Sequence, residues 1–433
     1  MAAGSVPSAA VSDGTPARAG GNRPGLVLAA LCFVYILNFL DRQLIGILAK
    51  PIQDSLGVTD GQLGLIGGLY FAMFYCFIAI PVGWLADRTS RVGVLSLACA
   101  IWSGATVACG MAANYSQLVV ARMLVGFGEA GGVPPSYAII TDSYPPGRRA
   151  AALSVFNLGP ALGAALGVAF GATVAERFGW RMPFIVVGAI GIVTAALVWL
   201  TIREPRRGAT DAVRADAGEG ARFWPTVRMF LSHPVLMLAA LGSGATQFVT
   251  YGLGNFAVLF LMREKGMQLG DVAVWYALVL VVGMGGGMLI SGRVIDRLTR
   301  RSRAGYAIAP AASLAVAMPF YLGFVAAPSW PLALGLLTVV MVFNYFYLSA
   351  SVALVQDEVR PDQRVLSGAL LLLVMNFIGL GLGPTWVGWA SDWFSAQGDA
   401  HGLRSALYTL TPFYLVAIAL FVALARRLGR EAS

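Results

Sequence analysis

The stretch GWLADR at residues 83–88 follows a long apolar run, and GRVIDR at residues 292–297 follows another in the same way. Both stretches read Gly, three residues, Asp, Arg. A second pair of matching stretches, PGRR at 146–149 and PDQR at 361–364, comes later in each half of the chain. The same landmarks therefore recur in the same order, which predicts an internal repeat of two similar halves.

The composition places these halves in a membrane. Of 433 residues, 58% are hydrophobic and 12% are charged, and the mean hydropathy is +0.74. Soluble domains carry about 25% charged residues. Apolar stretches near the ~20 residues that cross a bilayer as a helix recur along the chain, and barrel strands would be shorter and alternating. We therefore predict an all-α polytopic membrane protein with transmembrane helices at about 25–48, 63–85, 92–112, 117–140, 150–174, 183–201, 235–261, 272–291, 304–326, 331–354, 366–390 and 405–425.

The longest hydrophilic stretch between these spans divides six of them from the other six. No short apolar core with a small-residue cleavage site precedes the first span, so we expect no cleaved signal peptide. The predicted organisation is a disordered cytoplasmic tail at 1–24, a six-helix bundle at 25–201, a cytoplasmic linker at 202–233, a second bundle at 234–426 and a short tail at 427–433.

The positive charges predict the orientation of the chain. Most of the 30 Lys and Arg residues fall in the two tails, the linker and the loops after even-numbered spans. An excess of Lys and Arg in cytoplasmic loops is the usual topology signal, so both termini are predicted to be cytoplasmic. The net charge of +9 is explained by this distribution and does not indicate a nucleic-acid partner.

The residues that usually carry catalysis or bind metals give no such pattern here. All four cysteines lie within predicted spans without a Cys-x-x-Cys spacing, and the two histidines lie in predicted loops. There is no nucleophile with an evident base and no phosphate-binding loop. We therefore expect no enzyme activity, no metal and no cofactor.

Four ionisable residues lie well inside the predicted spans: Asp41 and Arg42 in span one, Arg122 and Glu129 in span four. A charge at bilayer depth costs about 3 kcal/mol or more, so such residues are usually functional. At ~1.5 Å per residue, Asp41 lies roughly 22 Å from the cytoplasmic end of its span and Arg122 roughly 8 Å from the outer end. In a ~30 Å core these depths coincide, which predicts an Asp41–Arg122 pair. Glu129, two turns beyond Arg122, is predicted near the midplane.

These residue types predict proton coupling combined with anion binding. Desolvation favours the neutral form of a carboxylic acid and a nearby arginine favours the charged form, so a conformational change can drive protonation of Asp41 and Glu129. Arg42 and Arg122 stay charged and bind carboxylate or phosphate bidentately, so they are predicted to pair with these acids and to hold a substrate head group.

The second half has no comparable buried charge, so one wall of the predicted cavity is charged and the other is mostly apolar. That contrast suits an amphipathic substrate. The polar side chains predicted to line the cavity are Asn38, Gln247, Thr250, Tyr251, Asn255, Asn344, Tyr345 and Asn376.

The sequence GWLADRTSR at residues 83–91 resembles the cytoplasmic loop signature of the major facilitator superfamily, and GRVIDRLTRR at 292–301 resembles a weaker second copy. The resemblance implies two six-helix halves that rock about a midplane site, which opens to one side at a time. We expect Asp87 to accept hydrogen bonds from the start of a neighbouring helix, and the loop arginines to pair with acids or lipid phosphates. The predicted cytoplasmic gate comprises Gly83, Asp87, Arg88, Arg91, Asp296 and Arg297.

Within that superfamily, NFLDR at 38–42 and RMLVGFGEA at 122–130 resemble the Spinster family. Its members move lysophospholipids and sphingosine-1-phosphate, and several are proton-linked. The resemblance implies a proton-coupled transporter of an anionic or zwitterionic lipid, surrounded by membrane lipids, and we expect it to be a monomer. The strong Arg and Ala bias predicts a bacterial inner-membrane protein. The alternative is a proton-coupled organic-anion symporter of the same superfamily, since symporters of sugar acids share the four charged positions.

Overall fold

The computed structural model describes residues 23–205, 223–360 and 363–430, and all the regular structure in these ranges is helical. The first half contains α1 Pro24–Ile47, α2 Ala49–Leu56, α3 Asp60–Gly67, α4 Leu69–Arg88, α5 Arg91–Met111, α6 Tyr115–Glu129, α7 Val133–Ser143, α8 Pro146–Phe156, α9 Gly159–Phe178 and α10 Arg181–Thr201. The second half contains α11 Phe223–Ser232, α12 Pro234–Lys265, α13 Leu269–Asp271, α14 Ala277–Leu280, α15 Gly286–Thr299, α16 Gly305–Ala326, α17 Trp330–Asn344, α18 Phe346–Glu358, α19 Arg364–Asn376, α20 Gly383–Ala396, α21 Gly402–Tyr408 and α22 Thr411–Arg430.

Several spans are built from more than one of these helices. Span eight joins α13 to α15 through two π-helical turns, Val272–Tyr276 and Val281–Gly285, and span eleven has a third at Phe377–Leu382. Counted this way, eleven helical segments in the described ranges are long and apolar enough to cross a membrane. The helical membrane architecture predicted from the sequence is therefore present.

The predicted fourth span, 117–140, is not among these eleven, because a break divides it into two shorter helices, α6 and α7. The break falls at residues 130–132 within the sequence AGGVPP. Gly131 and Gly132 favour a break, and Pro134 and Pro135 lack the N–H groups that would extend α6 through this point. The predicted site residues Arg122 and Glu129 lie on α6, before the break.

The tails and the linker of the predicted domain map are described only in part. Residues 1–22 of the predicted tail and 206–222 of the predicted linker lie outside the described residues, as do 431–433. The described end of the linker forms the short helix α11, and α22 continues to Arg430, past the predicted start of the second tail.

The first and last helices begin and end at the same end of the bundle. Phe248 of α12 stacks on Phe413 of α22, and Gly242 lies against Phe421, so these helices are antiparallel. Gly46 of α1 lies beside Asn255 of α12, and Gln53, just after α1, accepts a hydrogen bond from Arg263 farther along α12, so α1 and α12 run the same way. We call the end where α1 begins and α22 ends the terminal end, and the other the opposite end.

The glycines of α9 set the close packing of α1 against α9. They recur every fourth residue, and a Cβ on Gly163 would lie 2.5 Å from the carbonyl oxygen of Ile36. Side chains would hold the two backbones apart, as in other small-xxx-small contacts between membrane helices. This packing fixes α1, and with it the charged pair Asp41 and Arg42, within the first half.

Candidate functional site

The four charges predicted inside the membrane meet between α1 and α6. Arg42 Nε lies 2.5 Å from Glu129 Oε2, and Arg122 Nη1 lies 3.9 Å from Asp41 Oδ2. The Asp41–Arg122 pair is the one that the depth argument predicted. Asp41 and Arg42, which are adjacent on α1, both reach α6. They can do so because Arg122 and Glu129 lie two turns apart on α6 and each pairs with one of them. Two crossed ion pairs therefore join the helices.

The two pairs differ in how well their atoms are satisfied. The Arg42–Glu129 contact is a direct hydrogen bond. The Asp41–Arg122 distance is too long for one. Instead, Thr106 Oγ1 lies 2.9 Å from Asp41 Oδ2 and 2.8 Å from the carbonyl oxygen of Trp102, and its single proton can serve either. Among the described residues, Asp41 Oδ1, Arg122 Nε and Arg122 Nη1 have no hydrogen-bond partner.

Aromatic rings hold the two guanidinium groups. The Arg42 guanidinium carbon lies 4.6 to 5.3 Å from the ring centroids of Phe39, Phe71 and Tyr75, and that of Arg122 lies 5.2 Å from Phe71. Such cation–π contacts stabilise a desolvated guanidinium without neutralising it. The arginines can therefore be buried while keeping donors for an anion.

A cavity of about 100 Å³ lies beside these charges, between the two halves. Arg42 and Arg122 line it, whereas Asp41 and Glu129 are 1% exposed and do not. The cavity therefore presents two cations, each with a carboxylate behind it. That order of charges offers an anion two guanidinium groups directly.

The structure separates the eight polar residues predicted to line the cavity into two groups. Thr250, Tyr251, Asn255 and Tyr345 line it. Asn38, Gln247, Asn344 and Asn376 do not, which corrects the prediction. Asn344 points to α22, where it accepts a hydrogen bond from Tyr414, and Gln247 packs against Gly379. Asn38 is buried within the first half.

Two polar residues that line the cavity, Gln43 and Tyr276, were not predicted. Gln43 follows Asp41 and Arg42 directly, so its position could have been inferred from the same depth argument. Tyr276 is the last residue of a π-helical turn. The π-helical turn changes the face that each side chain of span eight presents, and helical periodicity alone does not show this.

The two copies of the loop motif lie at the terminal end, on α4 and α15. Gly83, Asp87 and Arg88 belong to the last turns of α4, and Asp296 and Arg297 to the last turn of α15. Arg88 stacks 4.1 Å over the ring of Trp84. The side chain of Asp87 lies outside the described part of the chain, so its predicted hydrogen bonds are not assessed.

In each half, an ion pair ties the loop after the motif to the end of a later span. Arg91 at the start of α5 pairs with Asp142 at the end of α7. In the second half, Arg303 lies 2.5 Å from Glu358 at the end of α18. The two loops therefore resemble each other in their ion pairs as well as in their sequences. The sequence prediction named neither Arg303 nor Glu358.

A residue that the sequence reading missed, Glu204, caps the start of α5. Its carboxylate accepts hydrogen bonds from Ser90 Oγ at 2.7 Å, Arg91 N at 3.0 Å and Val92 N at 2.9 Å. This is the kind of contact predicted for Asp87. A carboxylate at a helix N-terminus satisfies free N–H groups and the positive end of the helix dipole. Glu204 thus joins the start of the linker to the loop motif.

We expect Glu204→Ala to lower the thermal unfolding midpoint of the purified protein by a few degrees. Loss of a helix cap costs about 1 kcal/mol. Glu204→Gln should lose less, because its amide oxygen still accepts. Differential scanning fluorimetry in detergent measures this, with the exposed acid Glu176→Ala on α9 as the control. An unchanged midpoint in Glu204→Ala would show that the cap contributes nothing to stability.

The opposite end is closed by a seam between the two halves, which we define by Asp60, Gly61 and Gly64 of α3, Arg263 of α12, and Pro384, Gly388, Ser391 and Asp392 of α20. Asp60 accepts hydrogen bonds from Arg263 Nη1 and Nη2, each at 2.8 Å, and from Ser391 at 2.6 Å. Asp392 in turn accepts from the backbone N–H groups of Asp60 and Gly61. These polar contacts join elements of both halves.

Apolar side chains of α4 are exposed toward the terminal end. Phe77 of α4 contacts Phe377 of span eleven with ring centroids 5.8 Å apart. Trp84 lies two turns beyond Phe77 on the same face of α4, and it is 55% exposed. The seam closes one end and an apolar face of α4 is exposed toward the other, as expected at one extreme of an alternating-access cycle.

The family model of the Major Facilitator Superfamily matches residues 31–384, which is most of the chain. The chain belongs to the Major Facilitator Superfamily. Among curated proteins, the MFS-type efflux pump of Mycolicibacterium smegmatis is 32% identical over 410 residues, covering 94% of this chain and 93% of that protein. The hexuronate transporter of Bacillus subtilis is 25% identical over 379 residues, covering 84% and 87%.

A crystal structure of a bacterial homolog of the human lysosomal transporter Spinster, inward-facing and unoccupied, is similar to this superfamily member throughout. The TM-score is 0.87 at 31% identity, and the match covers 94% of this chain and 98% of that one. The protein is therefore a secondary transporter of the superfamily, related to Spinster, and not an enzyme. Within the described residues, no group of three or more His, Cys, Asp or Glu side chains could hold a metal ion.

Proposed function

We propose that this transporter moves an amphipathic lipid with an anionic or zwitterionic head, such as a lysophospholipid or sphingosine-1-phosphate, and couples that movement to protons. The observation that carries the proposal is Arg122, whose side chain is 2% exposed and lines the cavity, and whose nitrogens Nε and Nη1 have no hydrogen-bond partner in the described ranges. An unsatisfied buried guanidinium is costly. An oxygen of an anionic head group would supply the missing acceptor.

The ion pairs explain how anion binding would draw in protons. An anion that takes Arg42 away from Glu129 leaves a buried carboxylate without its counter-charge. Protonation of Glu129 removes that cost, because a neutral acid is far cheaper to bury than an ion. The same reasoning applies to Asp41 behind Arg122. We therefore assign proton coupling to Asp41 and Glu129, and head-group binding to Arg42 and Arg122.

The shape of the site supports a substrate with a separate head and tail. Ligand pockets for drug-sized molecules measure roughly 300–1,000 Å³. A cavity of about 100 Å³ holds a head group but not a whole lipid. An apolar face of α4, with Met73, Phe77, Ile80 and Trp84 all more than a third exposed, leads toward the terminal end. The tail would lie along this face.

We further propose that both termini are cytoplasmic, in the inner membrane of a bacterium, so that the terminal end faces the cytoplasm. The Lys and Arg distribution supports this orientation. The motif residues Gly83, Asp87, Arg88, Arg91, Asp296 and Arg297 would then form the cytoplasmic gate, and the seam would close the outer side. The functional unit is proposed to be the monomer, since one chain supplies both walls of the cavity.

The second candidate is a proton-coupled symporter of organic anions such as sugar acids. Two observations favour it. The cavity is small, and the second half contributes hydroxyl and amide groups from Thr250, Tyr251, Asn255 and Tyr345 to its wall. The likeness to the hexuronate transporter of Bacillus subtilis points the same way.

Flux in proteoliposomes with an imposed pH gradient tests both candidates. Proteoliposomes that contain the parent protein should take up labelled sphingosine-1-phosphate or lysophosphatidylcholine. This uptake should fall when the pH gradient is collapsed. Arg122→Gln should reduce this flux about tenfold or more, since an anion then loses a charged donor. Arg177→Gln, at the exposed end of α9, is the control. Movement of labelled glucuronate alone would replace the lipid proposal with the organic-anion one.

A further inference from the structure

Asn255 of α12 combines two properties that bear on the cavity. Its half-buried side chain lines the cavity that Arg42 and Arg122 also line. Within the described residues its carboxamide makes no hydrogen bond. A carboxamide carries two donors and an acceptor, and leaving them unsatisfied is costly. Its partner is therefore water or a ligand in the cavity.

The same residue fits a notch in the first half formed by two glycines, Gly46 of α1 and Gly67 of α3. A Cβ on Gly67 would overlap with Asn255 Nδ2 and lie 2.8 Å from Oδ1. A Cβ on Gly46 would lie 3.1 Å from the backbone oxygen of Asn255. A side chain at Gly67 would displace the Asn255 carboxamide, and one at Gly46 would press against the main chain of α12. The side chain faces Gly67 and the main chain faces Gly46.

From this placement we infer that Asn255 is a plug that closes the cavity toward the opposite end, and that its carboxamide also binds the polar head of the substrate. The second part rests on the proposed function. A head group held by Arg42 and Arg122 of the first half and by Asn255 of the second would bridge the halves. Occupancy would then favour closure of the opposite end, which is how substrate binding can drive one step of the cycle.

The plug can be tested without a ligand, by adding a methyl group on one side of the contact and removing the side chain on the other. In a background with the four cysteines replaced by alanine, Gly254→Cys supplies a reporter, because it lines the cavity and its Cβ meets open space. A membrane-impermeant maleimide is added from the side away from the termini. Its rate of reaction measures how often the cavity opens to that side.

We expect Gly67→Ala to raise the labelling rate about tenfold, because the added methyl group and the Asn255 side chain compete for the same space. Asn255→Ala combined with Gly67→Ala should restore a rate within about twofold of the parent. The matched control is Gly46→Ala, whose clash is with the main chain of Asn255. Asn255→Ala should therefore not rescue it. If Asn255→Ala restores the parent labelling rate in both glycine variants, or in neither, the proposal that Asn255 is a plug is overturned.

The head-group contact is tested by adding substrate to the same assay. The probe is sphingosine-1-phosphate or glucuronate, according to which of them the parent transports. It should slow the labelling of the parent several-fold and leave the labelling rate of Asn255→Ala unchanged. Equal slowing in both would overturn the contact. If neither probe is transported, the proposed function and the head-group contact fail together, while the glycine variants still decide the plug. Monodisperse elution of each variant establishes that it is folded.

Discussion

Proteoliposomes containing Glu129→Gln should fail to concentrate substrate in response to a pH gradient, while parent proteoliposomes do so. A gradient of two pH units supplies about 2.7 kcal/mol per proton, enough for about 100-fold accumulation at one proton per substrate. The variant has no proton to exchange at this position, so its accumulation ratio should fall toward one. The expected effect is thus about 100-fold.

The substitution is chosen so that the fold survives. Glu129 is buried, and Arg42 Nε lies 2.5 Å from Oε2. The amide oxygen of glutamine can still accept that hydrogen bond, whereas alanine would leave the guanidinium unpartnered, at a cost of about 1–3 kcal/mol or more. Exchange of labelled for unlabelled substrate without a gradient should therefore persist in Glu129→Gln, which separates coupling from binding.

Asp41→Asn should behave in the same way, because asparagine still accepts from Thr106 but cannot release a proton. The matched control is Asp54→Asn on α2, an exposed carboxylate paired with Lys50, which should accumulate substrate as the parent does. Gradient-driven accumulation at the parent level in both Glu129→Gln and Asp41→Asn would remove these two residues from the coupling mechanism.

The membrane fold and the charged site could be predicted because both depend on signals that are local in the sequence. Apolar runs of about 20 residues identify spans whatever their partners. A rise of 1.5 Å per residue places Asp41 and Arg122 at one depth before any packing is known. The same local reading does not reveal the helix break at residues 130–132, because the apolar run continues through it.

The seam and the Glu204 cap could not be predicted because their partners are distant in the sequence. Arg263 and Asp60 are separated by 203 positions, and Glu204 and Arg91 by 113. Asp60 and Arg263 lie at helix ends, where charged residues are unremarkable on topology grounds. Their importance follows only from the apposition of α3, α12 and α20, which local patterns do not specify.

Gly64→Ala should shift the protein away from the state closed at the opposite end. A Cβ at Gly64 would overlap with the carbonyl oxygen of Pro384 and lie 3.3 Å from Cα of Gly388. Both neighbours are backbone atoms, which cannot rotate away as a side chain can. Overpacking of this kind costs about 1–3 kcal/mol, so we expect roughly a 5- to 150-fold change in the ratio of closed to open forms.

The measurement is the labelling of Gly254→Cys by an impermeant maleimide added from the side away from the termini. Gly104→Ala on α5 is the matched control, because its added methyl group meets open space. Asp60→Asn provides a second route to the same state. It removes the charge that Arg263 binds bidentately and leaves that guanidinium with a weaker partner, without adding bulk.

If Gly64→Ala, which adds bulk, and Asp60→Asn, which removes a charge, have the same effect, the seam is what holds the opposite end closed. Both should raise labelling from the side away from the termini and slow net transport, because a transporter that rarely closes this end cannot release substrate at the other. If Gly64→Ala and Asp60→Asn both label at the rate of Gly104→Ala, the seam does not set the balance between states. The energy that holds this end closed would then lie in the apolar contacts between the halves.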